Sequence, residues 1–188
     1  MQLDPSTGWL VDAIHFPSPH ADERPDGEQV SLLVIHNISL PPGEFGGGYV
    51  QRFFAGQLDP ADHPYFADIA ELRVSAHFLI ERNGCITQFV SCNRRAWHAG
   101  QSCYAGRQAC NDFSIGIELE GTDLLPYSEA QYQSLAVLTR ALQDAYPALP
   151  AWRITGHQHI APGRKTDPGP VFDWQRYFCD LAALRRIR

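Results

Sequence analysis

The sequence is short of several things, and each shortage excludes something. Lysine is nearly absent: of fifteen Lys and Arg residues, Lys165 is the sole lysine. The arginines are scattered, and 21 acidic residues leave a net charge of −6, so neither a nucleic-acid footprint nor a polybasic membrane patch is expected. No apolar run approaches the roughly 20 residues that a membrane helix needs. The opening residues, Met1-Gln2-Leu3-Asp4-Pro5, offer neither a basic n-region nor an apolar h-region, so no secretory signal is expected and the cytoplasm is the expected compartment. The five cysteines are odd in number and include no Cys-x-x-Cys pair. That argues against a disulfide framework or a Cys-rich zinc ribbon and fits reduced thiols.

What is present supports a folded enzyme-sized unit. A chain of 188 residues, 44% of them hydrophobic and 19% charged, can bury a core, and one domain over residues 1–188 is expected. Gly (15) and Pro (14) predict many turns. Ser31 to Ile35 is almost continuously apolar and reads as a short buried strand with His36 at its far end, followed by a Pro/Gly loop over 37–43. Val50, Phe53 and Phe54 have helical spacing. Two β-rich runs, 74–80 and 85–90, flank Asn83-Gly84, which predicts a hairpin with a type I′ turn. Phe113 to Leu119 alternates, with Ile115, Ile117 and Leu119 on one face and Ser114, Gly116 and Glu118 on the other. Ser128 with Gln131 predicts a capped helix ending at Pro147, and Asp173 predicts the start of the last one. These elements imply a loop-rich α/β (α+β) domain with a mixed central sheet of about four to six strands and helices on its faces.

The segment Thr155 to Pro170 holds two imidazoles, the lone lysine and a carboxylate in a stretch too rich in Gly and Pro for a regular helix or strand. Imidazole nitrogen and carboxylate oxygen are ligands that zinc accepts. His157 and Asp167 can supply two and His36 a third, yet spacing alone leaves each equally readable as a surface or hydrogen-bonded core residue. Glu118 is a carboxylate on an otherwise apolar strand, costly to bury without a partner or a task, and Gly116 on its face leaves room for a ligand. Glu120, two residues on, reads as a strand-end residue in water. The single ammonium, Lys165, is suited to meeting a developing oxyanion. Arg73 and Arg107 can grip carboxylates, and Trp97 can pack on sugar or peptide; each is as readily an ordinary surface or core-edge residue. His77 reads as a satisfied strand histidine and His98 as a pocket wall.

The motifs Leu33-Val34-Ile35-His36-Asn37-Ile38-Ser39, Arg73-Val74-Ser75-Ala76-His77, Arg95-Ala96-Trp97-His98-Ala99-Gly100, Asn111 to Gly121, and Gly156-His157 through Lys165-Thr166-Asp167-Pro168-Gly169 occur in that order. The set, spanning about residues 9–174, resembles the zinc N-acetylmuramoyl-L-alanine amidases related to peptidoglycan-recognition proteins and phage lysozyme-type amidases. It is most similar to the branch that recycles 1,6-anhydro-muropeptides in the cytoplasm and thereby influences β-lactamase induction. The resemblance implies one Zn2+ per chain held by His36, His157 and Asp167, with His159, which lacks a preceding Gly, outside the ligand set. It further implies that Glu118 is the acid/base, that Lys165 stabilises the oxyanion, and that Asn37 belongs to the substrate site, for which Arg73, Trp97 and Arg107 are the other candidates. A monomer acting on a small soluble anhydro-muropeptide, with no nucleic-acid or membrane partner, is expected. Two rival readings are a recognition module that binds without cutting and an exported amidase acting on intact wall. The first typically lacks the third metal ligand, which Asp167 supplies; the second needs an export signal, and none is visible.

Overall fold

Leu32-Leu33-Val34-Ile35 is apolar at every position because the strand it forms is covered on both sides. The computed structural model describes residues 1–184; the last four residues of the expected 1–188 domain lie outside the described residues. Six strands form the central sheet: β1 (Ile14–His15), β2 (Leu32–Ile38), β3 (Phe78–Ile80), β4 (Ile86–Gln88), β5 (Ser114–Glu120) and β6 (Ile154–Gly156). Their spatial order is β6-β2-β5-β3-β4-β1. β2 runs parallel to both β5 and β6, β5 parallel to β3, and β1 parallel to β4, while β3 and β4 form an antiparallel hairpin. Among the described residues, five α-helices accompany the sheet: α1 (Tyr49–Phe54), α2 (Phe66–Ile69), α3 (Glu129–Ala145), α4 (His157–Ile160) and α5 (Trp174–Ala183). The mixed sheet with flanking helices is the fold class expected from the sequence. Among the described residues, no helix is long and apolar enough to cross a membrane.

Pleating divides the central strands between two layers. Leu33, Ile35, Ile115 and Ile117 pack with Leu135, Leu138 and Leu142 of α3 and with Tyr177 and Leu181 of α5. Leu32 and Val34 face the other way, towards Phe113 and Ile160. Leu79 shares a separate cluster with Phe53, Phe54 and Phe66 of the short helices. The register pairs Ser114 with Leu32, Gly116 with Val34, and Glu118 with His36, so the second face turns polar along its length. Capping sets the long helix: Ser128 Oγ accepts from Gln131 N–H at 3.1 Å, and Gln131 Oε1 accepts from Ser128 N–H at 3.0 Å. Asp173 Oδ1 accepts from Arg176 N–H at 2.9 Å and starts α5.

Three local expectations need correction. The Asn83-Gly84 turn is not type I′, because Gly84 has a positive φ (84°) and Asn83 does not. Gly84 N–H instead donates to the Glu81 carbonyl at 2.8 Å, and Glu81 N–H to the Cys85 carbonyl at 3.0 Å, giving a longer turn that ends on a left-handed glycine. A side chain at Gly84 would also stand 2.9 Å from the Ala130 carbonyl oxygen on α3. The 155–170 segment is not all loop: Thr155 and Gly156 end β6, and His157 opens the single turn of α4. Asn37 is not in a loop either, since β2 continues to Ile38.

Candidate metal centre

His36 lies near the end of β2, and His157 follows β6 directly. Because Gly156 is in register with Ile35, the β2–β6 pairing brings the two imidazoles together across 121 residues of sequence. Their Nδ1 atoms are 3.0 Å apart, and each is 3.0 Å from Asp167 Oδ2. Gly156 lets the third group close in: a Cβ there would stand 2.7 Å from Pro168 Cδ, and the Asp167 carbonyl accepts from Gln158 N–H at 2.9 Å. The three donors fit a metal ion. A tetrahedral ion with bonds of about 2.0–2.1 Å holds its ligand atoms about 3.3 Å apart, close to the triangle observed.

The electrostatics favour the metal-binding protonation states. Burial pushes His36 down to about 4, against the opposing pull of Asp167, so the imidazole is neutral. Burial alone would raise Asp167, but its close contacts with the His157 and His36 imidazoles outweigh it and hold the carboxyl well below the usual range.

These groups line a cleft of about 380 Å³ together with Glu118, Lys165, Asn37 and Trp97. Glu118 is 8% exposed, and its Oε2 is buried with no hydrogen-bond partner. Burial first, then the nearby Asp167 charge, pushes its carboxyl well above the usual range, while Lys165 pulls it back. Lys165 itself is exposed. Asn37 Nδ2 donates to Asp123 Oδ1 at 2.8 Å, and Trp97 Nε1 donates to Asp22 Oδ1 at 3.0 Å. Arg73 is exposed between Leu72 and Val74, both of which line the cleft. Arg107 is not among the lining residues: it is ion-paired with Glu28 at 2.5 Å and lies 4.0 Å over the Phe113 ring.

Two expectations about β5 are overturned. The space above Gly116 is filled by protein rather than left for a ligand, since a Cβ at this position would stand 2.5 Å from Cγ of the His98 ring. Glu120 is not solvated: it is 4% exposed, and its carboxylate accepts from the backbone N–H groups of Gly46 and Arg82. His77 is satisfied as expected but lies just before β3 rather than in it, with Nδ1 accepting from Gly116 N–H at 3.0 Å and Nε2 3.1 Å from the Arg94 carbonyl oxygen. His159 is exposed. Sequence reasoning missed one wall of the cleft, which Tyr65, Ile69 and Leu72 supply, the first and last 39% and 49% exposed. The available signal was a run of apolar side chains at 65–72 with no strand or long helix to bury them.

The profile of the N-acetylmuramoyl-L-alanine amidase family matches residues 26–170. The 1,6-anhydro-N-acetylmuramyl-L-alanine amidase AmpD of Salmonella typhimurium (strain SL1344) is 64% identical over 173 residues, covering 92% of each chain. A crystal structure of a Se-Met AmpD derivative superposes with a TM-score of 0.93 at 62% identity, covering 96% of this chain and 99% of that one. The amidase AmiD from E. coli, solved in complex with the substrate anhydro-N-acetylmuramic acid-L-Ala-D-gamma-Glu-L-Lys, matches with a TM-score of 0.60 at 30% identity over 84% of this chain and 60% of that one. On both the family profile and relatives that share nearly its whole length, the chain belongs to the N-acetylmuramoyl-L-alanine amidase family.

Proposed function

We propose that this chain hydrolyses the amide between the lactyl group of 1,6-anhydro-N-acetylmuramic acid and the L-alanine of the stem peptide, in peptidoglycan recycling. The observation that carries this reading is the convergence of His36, His157 and Asp167 beside the unpartnered Glu118 carboxyl. One zinc ion fits the two nitrogens and one oxygen; when bound it supplies a Lewis acid that polarises a carbonyl and acidifies water. Glu118 takes a proton from the attacking water as the water oxygen bonds to the lactyl carbonyl carbon. It then returns that proton to the amide nitrogen as the C–N bond breaks, freeing the amino group of L-alanine. A buried carboxyl whose proton affinity is raised in this way is suited to proton transfer. Lys165 brings its ammonium to the negative charge that develops on the carbonyl oxygen.

Asn37 and Trp97 contact the substrate from the cleft walls, and Arg73 pairs with a stem-peptide carboxylate at the rim. AmiD, a relative of lower identity, takes an anhydromuramyl peptide, which supports the same substrate class here. The described cysteines are all unpaired, which fits a reducing cytoplasm. Metal analysis of the purified protein, with mass spectrometry of products from an anhydro-muropeptide and from intact sacculus, tests the proposal. About one zinc per chain and release of free stem peptide from the soluble substrate are expected. A metal-free active enzyme, or preferential cleavage of sacculus, would overturn it. His36→Ala, His157→Ala and Asp167→Ala should each lose zinc.

A further inference from the structure

The ring nitrogens of His36 and His157 that point away from the Nδ1 pair meet two adjacent residues, one each. His36 Nε2 is 2.9 Å from His98 Nδ1, and His98 Nε2 continues to Ser114 Oγ at 3.0 Å. His157 Nε2 is 3.1 Å from the Ala99 carbonyl oxygen. A carbonyl only accepts, so His157 carries its proton on Nε2 and keeps the Nδ1 lone pair free. The same arrangement suits His36 if His98 accepts at Nδ1 and donates from Nε2 to Ser114. The adjacent backbone N–H groups of His98 and Ala99 both donate to Asn111 Oδ1, at 3.1 and 2.8 Å. One side-chain oxygen therefore pins the two-residue segment that both imidazoles lean on. Gly116 completes the device, because no other residue leaves space for the His98 ring against β5.

We propose that His98 and the Ala99 carbonyl fix both metal-centre imidazoles as Nδ1 ligands, and that Asn111 is the positioning residue that holds this pair in place. The inference rests on the reading of His36, His157 and Asp167 as a metal centre. Asn111 reaches neither imidazole by any of these bonds and acts through the backbone at 98–99. Partners of this kind are worth typically about 10–100-fold in metal affinity.

The test has two arms. Long-range proton–nitrogen NMR correlations on zinc-loaded wild-type protein should show Nδ1 bound and Nε2 protonated in both His36 and His157. Zinc Kd, measured by chelator competition, should weaken about 10–100-fold in Asn111→Ala and in His98→Leu. Asn111→Asp, which keeps an oxygen acceptor in the same position, should recover most of the loss; a residue with a purely volumetric role would give no such split between Ala and Asp. Ligation through Nε2 in either ring would overturn the proposal, as would wild-type zinc affinity in a folded Asn111→Ala protein. If Asn111→Ala does not fold, the wild-type spectrum and the Asn111→Asp affinity still decide it. Failure of the wild-type protein to bind zinc is a different outcome, since it removes the metal centre itself.

Discussion

Glu118 stands directly opposite His36 on the parallel strands β5 and β2, so a buried carboxyl with a free oxygen and a buried imidazole share one wall of the cleft. This pairing separates two roles by experiment. Glu118→Gln keeps the shape but cannot take up a proton, so kcat should fall by about 10²–10⁴-fold with zinc content and melting temperature nearly unchanged. Near wild-type turnover would remove the proton-transfer role. Glu120→Gln, which would be silent at a solvated strand end, should instead lower stability by about 1–3 kcal/mol, because its carboxylate joins Gly46 and Arg82 to the end of β5. Thermal or urea unfolding measures that loss directly.

Acid should destabilise the metal-free protein well before ordinary carboxylates titrate. Burial, followed by the charge of Arg24, pushes His77 down to about 3, and burial also lowers His36 and His98. The unfolded chain takes up these protons below about 6.5 and the folded chain does not. Stability is therefore fully present above that pH and is lost as pH falls towards 3. Each such histidine contributes a slope of up to about 1.4 kcal/mol per pH unit. Urea unfolding at several pH values between 7 and 4 reads the slope, and His77→Gln should flatten it by up to one proton. An unchanged slope in that variant would show that His77 titrates normally.

Arg24 is the brace behind the site. Its guanidinium donates to the carbonyl oxygens of Cys92, Asn111, Asp112 and Ser114, at 2.8–3.1 Å for the shortest bond to each. Arg24→Met should cost at least about 3 kcal/mol, since four acceptors lose a charged donor at once. Lysine should not rescue it, because one ammonium cannot reproduce the planar fork. Full stability in Arg24→Lys would show that the charge alone suffices.

The two arginines that the sequence offers as substrate candidates should part company. Arg73→Ala should raise KM with little change in kcat, as loss of uniform binding does. Arg107→Ala should leave both unchanged, because this side chain is taken up by Glu28 and Phe113. A KM increase in the Arg107 variant alone would reverse the assignment.

The sequence made legible whatever is encoded locally. The apolar run at 32–35, the alternation at 113–119 and the Ser128–Gln131 box each specify an element through neighbours within a few residues. The candidate ligands were reached through motif order, not spacing, because 121 residues separate His36 from His157 and a strand pairing closes that gap. What stayed hidden depends on contacts between distant segments. Gly116 reads as an opening until the His98 ring is seen to occupy it. Glu120 reads as solvated until the loop at Gly46 covers it. Arg24 sits in a stretch with no pattern at all, and its four carbonyl partners come from residues 92–114. The Asn83-Gly84 pair carried the hairpin correctly but not its turn geometry, which the close approach of α3 to Gly84 helps set.

The β2–β6 pairing also orders events in time. A chain emerging from synthesis presents His36 early, but His157 and Asp167 arrive only after β6 and the loop behind it have been made. Until the last strand docks, one donor of three is available, and a single imidazole holds a metal weakly. If the three residues hold a metal as proposed, the site is complete only once β6 pairs with β2, so uptake follows the formation of that strand pair. On that reading metal uptake reports that β6 has docked, and a copy with β6 detached lacks two of the three donors.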